Sequence, residues 1–277
     1  MKRHLILIML ALLPALMLAQ KQGGEVKRPT PKHQQVQREA PVQQKSIDKG
    51  HYNSAGGFYY TGTQRLVSNP SVGNPWLLEQ VKGWGKLQNG SVNASAEGVM
   101  IYDSYGYVYT SGVNQGLKDK IAEINKNHQR INDINILNNG SYVIVWGRNI
   151  FLMYGHPQVF YDRANSYFNA GEEIRSACFN QSHSWWGLVT DKHWAADEST
   201  SVIVKKAESL YGKVVSIFVS DMGRSICCEN GVYCDNVPST LYELLKTASF
   251  KPRYVKFTDD GKYIITNDQT QAWWVFF

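Results

Sequence analysis

The chain has 277 residues, a formal net charge of +6 at pH 7, and four cysteines. The first nineteen residues carry a charge of +2 and residues 20–56 carry +4, so the remainder of the chain is neutral. Nucleic-acid binding is therefore not expected, because a nucleic-acid reader needs its basic patch on the folded part.

The N-terminal segment, residues 1–19, has the pattern of a secretory signal peptide. A basic start precedes an apolar run over Leu5–Leu18 and a small residue, Ala19. The run is shorter than the ~20 residues that a membrane span needs. We expect cleavage near Ala19 and a soluble exported chain, located in the periplasm, at the cell surface or in the medium. The alternative is an uncleaved amphipathic anchor.

Residues 20–56 are rich in Gln, Lys and Pro and contain few aliphatic side chains. Such a segment cannot bury enough apolar surface to offset its backbone entropy, so a disordered linker is predicted. Its basic residues suit a solubilising spacer, or alternatively a weak tether to an anionic envelope surface.

A repeat organises the rest of the chain, residues 57–277. The stretch Ile134–Trp146 is an apolar strand, an Asn-Asn-Gly turn and a second apolar strand, and Val255–Thr266 has the same frame. Gapped copies complete a set of five turn positions at intervals of about 40 residues, the range of propeller blades. The turn positions are Gly98, Gly140, His183, Gly223 and Gly261.

A helical pattern precedes each turn by roughly twenty residues. Apolar residues at i, i+4 and i+7 place one stripe on one helix face. Prolines just before three of the stripes suit helix starts, where the missing N–H costs nothing. The five triplets are Leu77/Val81/Trp84, Leu117/Ile121/Ile124, Phe160/Ala164/Tyr167, Ile203/Ala207/Leu210 and Leu241/Leu245/Ala248.

Each unit is therefore predicted to consist of a helix followed by three strands, named a, b and c, which are joined by tight turns. In the second unit the strands are predicted at Ile131–Leu137, Ser141–Trp146 and Asn149–Tyr154. Strands a and b are apolar at nearly every residue, which predicts cover on both faces. The segment Gly57–Gly62 has no a and b strands of its own, so we expect it to join the last unit and close a circle.

This arrangement resembles a small five-bladed β-propeller whose outermost strand is replaced or covered by a helix. The predicted fold class is mainly β, with one short helix in each of five repeats. The resemblance is architectural and implies a scaffold without a particular chemistry, because no WD-type or other family motif accompanies it. The terminal aromatic run QAWWVFF leaves an outer-membrane β-barrel as an alternative.

The cysteines are Cys178, Cys227, Cys228 and Cys234. If Asn230-Gly231 is a two-residue turn, Cys227 lies opposite Cys234 and a disulfide can form between them. Export permits such a bond, but four reduced core thiols are the preferred expectation.

No motif of an enzyme, metal site or cofactor site is present, so neither a cofactor nor a metal is predicted. His183, His193, Asp191 and Asp197 cluster in the third unit and could form a general-base site, although structural roles are favoured. Asp259-Asp260-Gly261 is predicted to be a hairpin turn, and a calcium site is the less favoured alternative.

Turns between strands b and c gather on one rim in a propeller, which makes them candidates for ligand binding. Tryptophans beside them offer flat faces for sugar rings, while most other aromatic residues are expected to pack between sheets. The candidate rim residues are Asp103, Arg148, Asp191, His193, Trp194, Asn230, Asp268 and Trp273.

The preferred function is an exported, non-enzymatic protein that binds a protein or glycan partner at this rim. The alternative is a propeller glycosidase or lyase that assembles carboxylates from several turns, such as Asp103, Asp191 and Asp268. Two carboxylates about 5–9.5 Å apart, one of them desolvated, would favour that enzyme.

Overall fold

The computed structural model describes residues 54–59, 87–95, 97–102, 105–147, 150–247, 251–266 and 273–276. The described chain is mainly β, and its strands are short and antiparallel. The strands are β1 (Ser54–Tyr59), β2 (Leu87–Val92), β3 (Gly98–Tyr102), β4 (Gly106–Tyr109), β5 (Ile131–Ile136), β6 (Tyr142–Trp146), β7 (Ile150–Tyr154), β8 (Ile174–Phe179), β9 (Trp186–Thr190), β10 (Trp194–Ala196), β11 (Val214–Val219), β12 (Arg224–Cys228), β13 (Gly231–Val237), β14 (Tyr254–Phe257), β15 (Tyr263–Thr266) and β16 (Trp273–Phe276).

Four helices separate the strand groups in the described part of the chain. They are α1 (Gln115–Lys126), α2 (Gln158–Asn169), α3 (Glu198–Tyr211) and α4 (Ser239–Thr247). Asn114 caps α1 by accepting a hydrogen bond from the Gly116 N–H, and Asp197 caps α3 by accepting one from the Thr200 N–H. These side chains satisfy backbone donors that have no partner inside the helix. Pro157 and Pro238 directly precede α2 and α4, as predicted.

The strands form five small antiparallel sheets, one for each predicted repeat. Four sheets contain three strands, ordered β2-β3-β4, β5-β6-β7, β8-β9-β10 and β14-β15-β16. The fifth is β11-β12-β13 with β1 added beside β13. The first strands contact one another in the sequence β2, β5, β8, β11, β14, and β14 also contacts β2. Neighbouring sheets therefore contact each other from the first to the fifth and back to the first.

The core lies between the sheets and under the helices, where the repeat pattern predicted it. Every residue of β6, β9 and β12 is buried, which agrees with the prediction that the b strands are covered on both faces. The α1 stripe of Leu117, Ile121 and Ile124 is buried against the first and second sheets. The helix and strand periodicities were therefore sufficient to locate most of this core.

The buried face of helix α3 is rotated by about one residue position from the face that was predicted to be buried. Its buried side chains are Thr200, Val204, Ala207 and Tyr211, whereas the predicted Ile203 is half-buried and Leu210 is 43% exposed. Both stripes have helical spacing, so periodicity alone does not separate them. The stripe that is buried carries Tyr211, which packs in one cluster with Val204 and Ala207.

One predicted turn position, Gly98, needs correction, while Gly223 lies in its predicted turn but is a glycine for a different reason. Gly98 begins β3, and the turn of the first sheet runs from Asn93 to Glu97, whose backbone carbonyl accepts from the Asn93 N–H at 2.9 Å. Gly223 does not have positive φ; a Cβ there would lie 1.9 Å from the Asn236 carbonyl oxygen, so its glycine is required by close approach. By contrast, Gly140 and Gly261 have φ of 78° and 91°, and His183 has 61°, as the turn prediction requires.

The segment expected to close the last unit pairs elsewhere. Strand β1 overlaps Gly57–Gly62 and pairs with β13 of the fourth sheet, with Phe58 opposite Val232. The fifth sheet already has its own third strand, β16, and β13 offers seven residues of edge to cover. Strand β1 begins at Ser54, three residues inside the predicted linker, and the predicted signal peptide and the rest of the linker lie outside the described residues.

The predicted opposition of Cys227 and Cys234 is wrong. The hairpin turn is Glu229-Asn230, so Cys227 lies opposite Val232 and Cys234 lies opposite Ser225. The two thiols are consequently diagonal neighbours on one sheet face, and all four cysteines are free and buried. Burial raises the pKa of the Cys178, Cys227 and Cys228 thiols to about 12, and that of Cys234 well above its usual value.

Thiol reactivity tests this arrangement. Because the thiolate is the nucleophile, we expect none of the four cysteines to react promptly with Ellman's reagent at pH 8 in the native protein. All four should react after unfolding in guanidinium chloride. A fast native burst, or fewer than four thiols in the unfolded chain, would contradict four buried and reduced cysteines.

The turn of the fifth sheet holds a carboxylate in an unfavourable environment. Burial, followed by the nearby charge of Asp221, raises the pKa of the Asp259 carboxyl group. A raised folded-state pKa means that this group favours the folded state at low pH and loses that contribution as pH rises through its folded pKa. Ionised Asp259 therefore destabilises the fold at neutral pH.

Replacing Asp259 with asparagine is expected to raise the melting temperature at pH 7. The gain should amount to a few degrees, given that ~1 kcal/mol shifts a domain of this size by ~2–4 °C. It should shrink towards zero as pH falls and wild-type Asp259 becomes protonated. Asp260→Asn is the matched control; since Asp260 is paired with Lys262, its replacement should give no gain. Equal effects of the two variants in a thermal scan would refute the assignment.

Candidate functional site: a polar pocket at the start of the first strands

The first strands of four sheets share a local irregularity at the same repeat position. The pairing register shifts between Leu87 and Asn89, Ile131 and Asp133, Ile174 and Ser176, and Val214 and Ser216. Each shift inserts one extra residue, which forms a β-bulge and redirects a side chain. The inserted residues are Gln88, Asn132, Arg175 and Val215.

Three of these bulge residues, Gln88, Asn132 and Arg175, line a pocket of about 280 Å³. The pocket lies where the first strands begin, and Arg253 and Tyr254 reach it from the equivalent end of β14. The remaining lining residues are Asn89, Arg130, Ile131 and Glu173. Residues from the first, second, third and fifth sheets therefore converge on one concavity, although they are distant in sequence.

The described lining of this pocket is positively charged. The described lining contains three arginines, Arg130, Arg175 and Arg253, and a single carboxylate, Glu173. The ion pair between Arg175 Nη2 and Glu173 Oε2 is long at 3.9 Å, and its side chains are 41% and 35% exposed. Such a pair contributes little stability and leaves the excess charge in place. A concave, positively charged surface concentrates anions from solution.

Tyr254 forms the floor of the pocket. Its hydroxyl donates to the Asn132 carbonyl oxygen at 3.0 Å, and the Arg175 carbonyl oxygen lies 3.4 Å from the same hydroxyl. The guanidinium carbon of Arg253 is 5.8 Å from the Tyr254 ring centroid. Lys256 Nζ lies 5.2 Å from that centroid, within the range of a cation–π contact. The tyrosine therefore links the pocket to the buried network behind it.

A buried ion pair is the centre of that network. Lys256 Nζ lies 2.7 Å from Asp133 Oδ1, and the two side chains are only 4% and 1% exposed. The ammonium group also donates to Asn89 Oδ1 at 2.8 Å and to the Ile134 carbonyl oxygen at 2.6 Å. All three N–H bonds of the ammonium are thus matched by acceptors.

The second carboxylate oxygen of Asp133 is matched as well. Asp133 Oδ2 accepts from Ser176 Oγ at 2.9 Å and from the Ala177 N–H at 3.0 Å. Because every strong donor and acceptor of the ion pair is engaged, it connects the first, second, third and fifth sheets as a structural element. We refer to Lys256, Asp133, Asn89 and Ser176 as the hub.

Asp191, a predicted rim residue, borders the pocket without lining it. Its Oδ1 accepts from the Glu173 N–H at 2.8 Å, and its own N–H donates to the Glu173 carbonyl oxygen at 2.9 Å. The hydrogen bond from Glu173 is the main cause that lowers the pKa of the Asp191 carboxyl group. Asp191 therefore remains ionised at neutral pH and fixes the position of Glu173.

His193 occupies the same turn and is held by a buried carboxylate. Its Nδ1 lies 2.9 Å from Glu172 Oε1, and Thr190 Oγ1 donates to Glu172 Oε2 at 2.6 Å. Burial pushes the pKa of Glu172 upward, but the hydrogen bonds from Thr190 and His193 outweigh it and lower the pKa. The His193 ring stacks on Tyr167 with centroids 6.1 Å apart. These contacts hold the turn against α2.

Trp194 and Asn230 have structural contacts. Trp194 is half-buried beside α3, where its Nε1 donates to Glu208 Oε2 at 3.1 Å. The exposed Asn230 donates its backbone N–H to the Tyr211 carbonyl oxygen at the end of α3. Asp103, Arg148 and Asp268 lie outside the described residues, and Trp273 belongs to β16 but its side chain is not described.

The pocket arginines were not among the predicted site residues. The prediction concentrated on the b–c turns, whereas Arg130, Arg175 and Arg253 lie where the a strands begin. Aligning the repeats on the turns puts Asn132, Arg175, Val215 and Arg253 at one position, eight residues before the turn, and three of these four side chains are polar. That recurring polar residue was the available signal. Its significance depends on the bulge, which the sequence pattern does not reveal.

Among the described residues, no group of three or more His, Cys, Asp or Glu side chains is placed to hold a metal ion. Within the same part of the chain, none of the helices has the length and apolar character needed to cross a membrane. The chain matches no protein-family model and no curated protein sequence.

Proposed function

We propose that this chain is an exported, non-enzymatic binding protein with a five-bladed propeller-like domain. It takes a glycan, in preference to a protein, at the rim around the pocket of Arg130, Arg175 and Arg253. The observation that carries the proposal is the convergence of polar side chains from four sheets on one concavity. Export rests on the signal-like N-terminal segment.

The contacts between sheets support the propeller. Each first strand contacts the first strand of the following sheet, and the fifth sheet contacts the first through β14 and β15 against β2. A closed series of this kind leaves an axis between the first strands, and the pocket opens at their beginning. In the described part of the chain a helix precedes the first strand of the second, third, fourth and fifth units.

Hydrogen bonds between turns and strand entries support a rim beside the pocket. The Gly147 N–H donates to the Arg130 carbonyl oxygen, and the Asp191 N–H donates to the Glu173 carbonyl oxygen, each at 2.9 Å. The b–c turns of the second and third units thus border two residues of the pocket wall. A partner bound at the pocket would contact those turns as well.

The charges favour binding over hydrolysis. A glycosidase needs two carboxylates, one of them with a raised pKa. In the described lining, Glu173 is the single carboxylate, and the neighbouring Asp191 has a lowered pKa. Three arginines beside one carboxylate suit recognition of an anionic or hydroxyl-rich group.

A glycan array probed with the full exported chain tests the proposal. We expect binding to at least one class of glycan, and loss of that binding in the pocket variant Arg130→Gln. Arg163→Gln, which removes an exposed arginine on α2, is the matched control and should bind as wild type. Cleavage of the bound glycan would overturn the non-enzymatic assignment, and failure to bind any glycan would overturn the glycan assignment.

A further inference from the structure

We infer that the pocket recognises an acidic sugar, a sugar ring that carries one carboxylate, as found in uronate-containing polysaccharides. This inference rests on the proposed glycan-binding function and specifies its ligand. The proposed function requires only a glycan at the rim, whereas the inference requires an anion in the pocket.

The charge of the pocket selects an anion. Three arginines and one glutamate give the described lining an excess of two positive charges. The guanidinium group matches the planar, two-oxygen geometry of a carboxylate and binds it through paired hydrogen bonds. Arg175 and Arg253 come from different sheets, so a carboxylate between them would be held from two sides.

The Glu173 carboxylate is expected to favour binding of an acidic sugar over binding of a phosphate. A phosphate brings nearly two negative charges and acceptor oxygens, which the Glu173 carboxylate would repel. A sugar ring brings a single negative charge together with hydroxyl groups, and these can donate to Glu173. The side chains of Gln88 and Asn132 add amide groups to the same wall.

The size of the cavity agrees with one sugar ring at a time. The cavity of about 280 Å³ is slightly below the ~300–1,000 Å³ of sites for drug-sized molecules. A polymer of acidic sugars could extend from the pocket along the bordering turns.

The domain charge argues against a nucleic acid as the anionic polymer. Affinity for a phosphate backbone depends on many basic contacts along its length. Residues 57–277 are neutral overall, and the basic side chains of the site are concentrated in one pocket. A polymer that places one monoanionic group in the pocket, and touches the surrounding neutral surface with uncharged groups, fits this charge distribution better.

Isothermal titration of the full exported chain with trigalacturonate and with the neutral galactose trisaccharide tests the inference. We expect trigalacturonate to bind at least about tenfold more tightly than the neutral sugar, which corresponds to roughly one charged hydrogen bond. Arg175→Gln and Arg253→Gln should each weaken trigalacturonate binding about tenfold or more, while Arg163→Gln leaves it unchanged. Melting temperatures of the variants distinguish lost binding from lost folding.

The remaining outcomes separate the two proposals. Equal affinity for both trisaccharides, or acidic-sugar binding that survives Arg175→Gln and Arg253→Gln, overturns the inference while glycan binding stands. Competition by inorganic phosphate at the same affinity as trigalacturonate also overturns it, in favour of a general anion site. If neither these sugars nor the array glycans bind, the proposed function fails together with the inference.

Discussion

Replacing Lys256 with methionine is expected to lower the free energy of unfolding by about 3–5 kcal/mol, the usual cost of removing one partner of a buried ion pair. Methionine fills a similar volume, but it leaves the Asp133 side chain, only 1% exposed, without its cation. Asn89 Oδ1 and the Ile134 carbonyl oxygen lose a donor at the same time. Urea denaturation at neutral pH measures the loss.

Two variants give this experiment its controls. Lys246→Met removes a lysine whose ion pair with Glu243 is largely exposed, and its cost should lie within about 1 kcal/mol. Adding Asp133→Asn to Lys256→Met removes the unpaired charge, so the double variant should be more stable than the sum of the single effects predicts. A Lys256→Met protein as stable as the Lys246→Met control would show that the hub does not hold the sheets together.

The second large effect is expected at Gly223. An alanine Cβ at this position would lie 1.9 Å from the Asn236 carbonyl oxygen and 2.4 Å from the Asp235 carbonyl oxygen. Both atoms belong to the backbone of β13, which also pairs with β1, so a rotamer change cannot relieve the contact. We expect Gly223→Ala to cost about 2–4 kcal/mol through displacement of the strand.

Gly171→Ala separates this collision from the general cost of replacing a glycine. Gly171 has φ of 72° and no neighbouring atom within 4 Å of the point that an alanine Cβ would occupy. Gly171→Ala should therefore lower the free energy of unfolding only through backbone strain, by roughly 1–2 kcal/mol. Guanidinium denaturation of both variants measures the difference. If Gly171→Ala is the more damaging substitution, steric approach is not the reason for glycine at position 223.

Local patterns were sufficient for the elements that depend on near neighbours. The hairpin of β5 and β6 follows from apolar runs around Asn138-Asn139-Gly140, and φ at Gly140 is positive as that turn requires. The α1 stripe follows from helical spacing. Where two apolar stripes compete, as in α3, local spacing did not decide, because the answer depends on which side chains fit the neighbouring sheets.

The hub and the pocket depend on residues that only the fold brings together. Lys256 and Asp133 belong to different repeats, and neither stands out within its own strand. From sequence alone, a lysine within an apolar strand is predicted to face solvent, because the buried acceptors that would pair with it are not known. The arginines of the pocket became recognisable as a site only when the fold brought Arg130, Arg175 and Arg253 from three sheets to one opening.

The pairing of β1 with β13 has a consequence for biogenesis. Strand β1 is the first described segment to leave the ribosome, yet its partner residues, which end at Val237, are among the last. The fourth sheet therefore stays incomplete until nearly the whole polypeptide has been synthesised, and its closure is a slow, non-local event. Until then β1 lacks its partner strand and is open to pairing with other chains, so misassembly is expected to begin during synthesis.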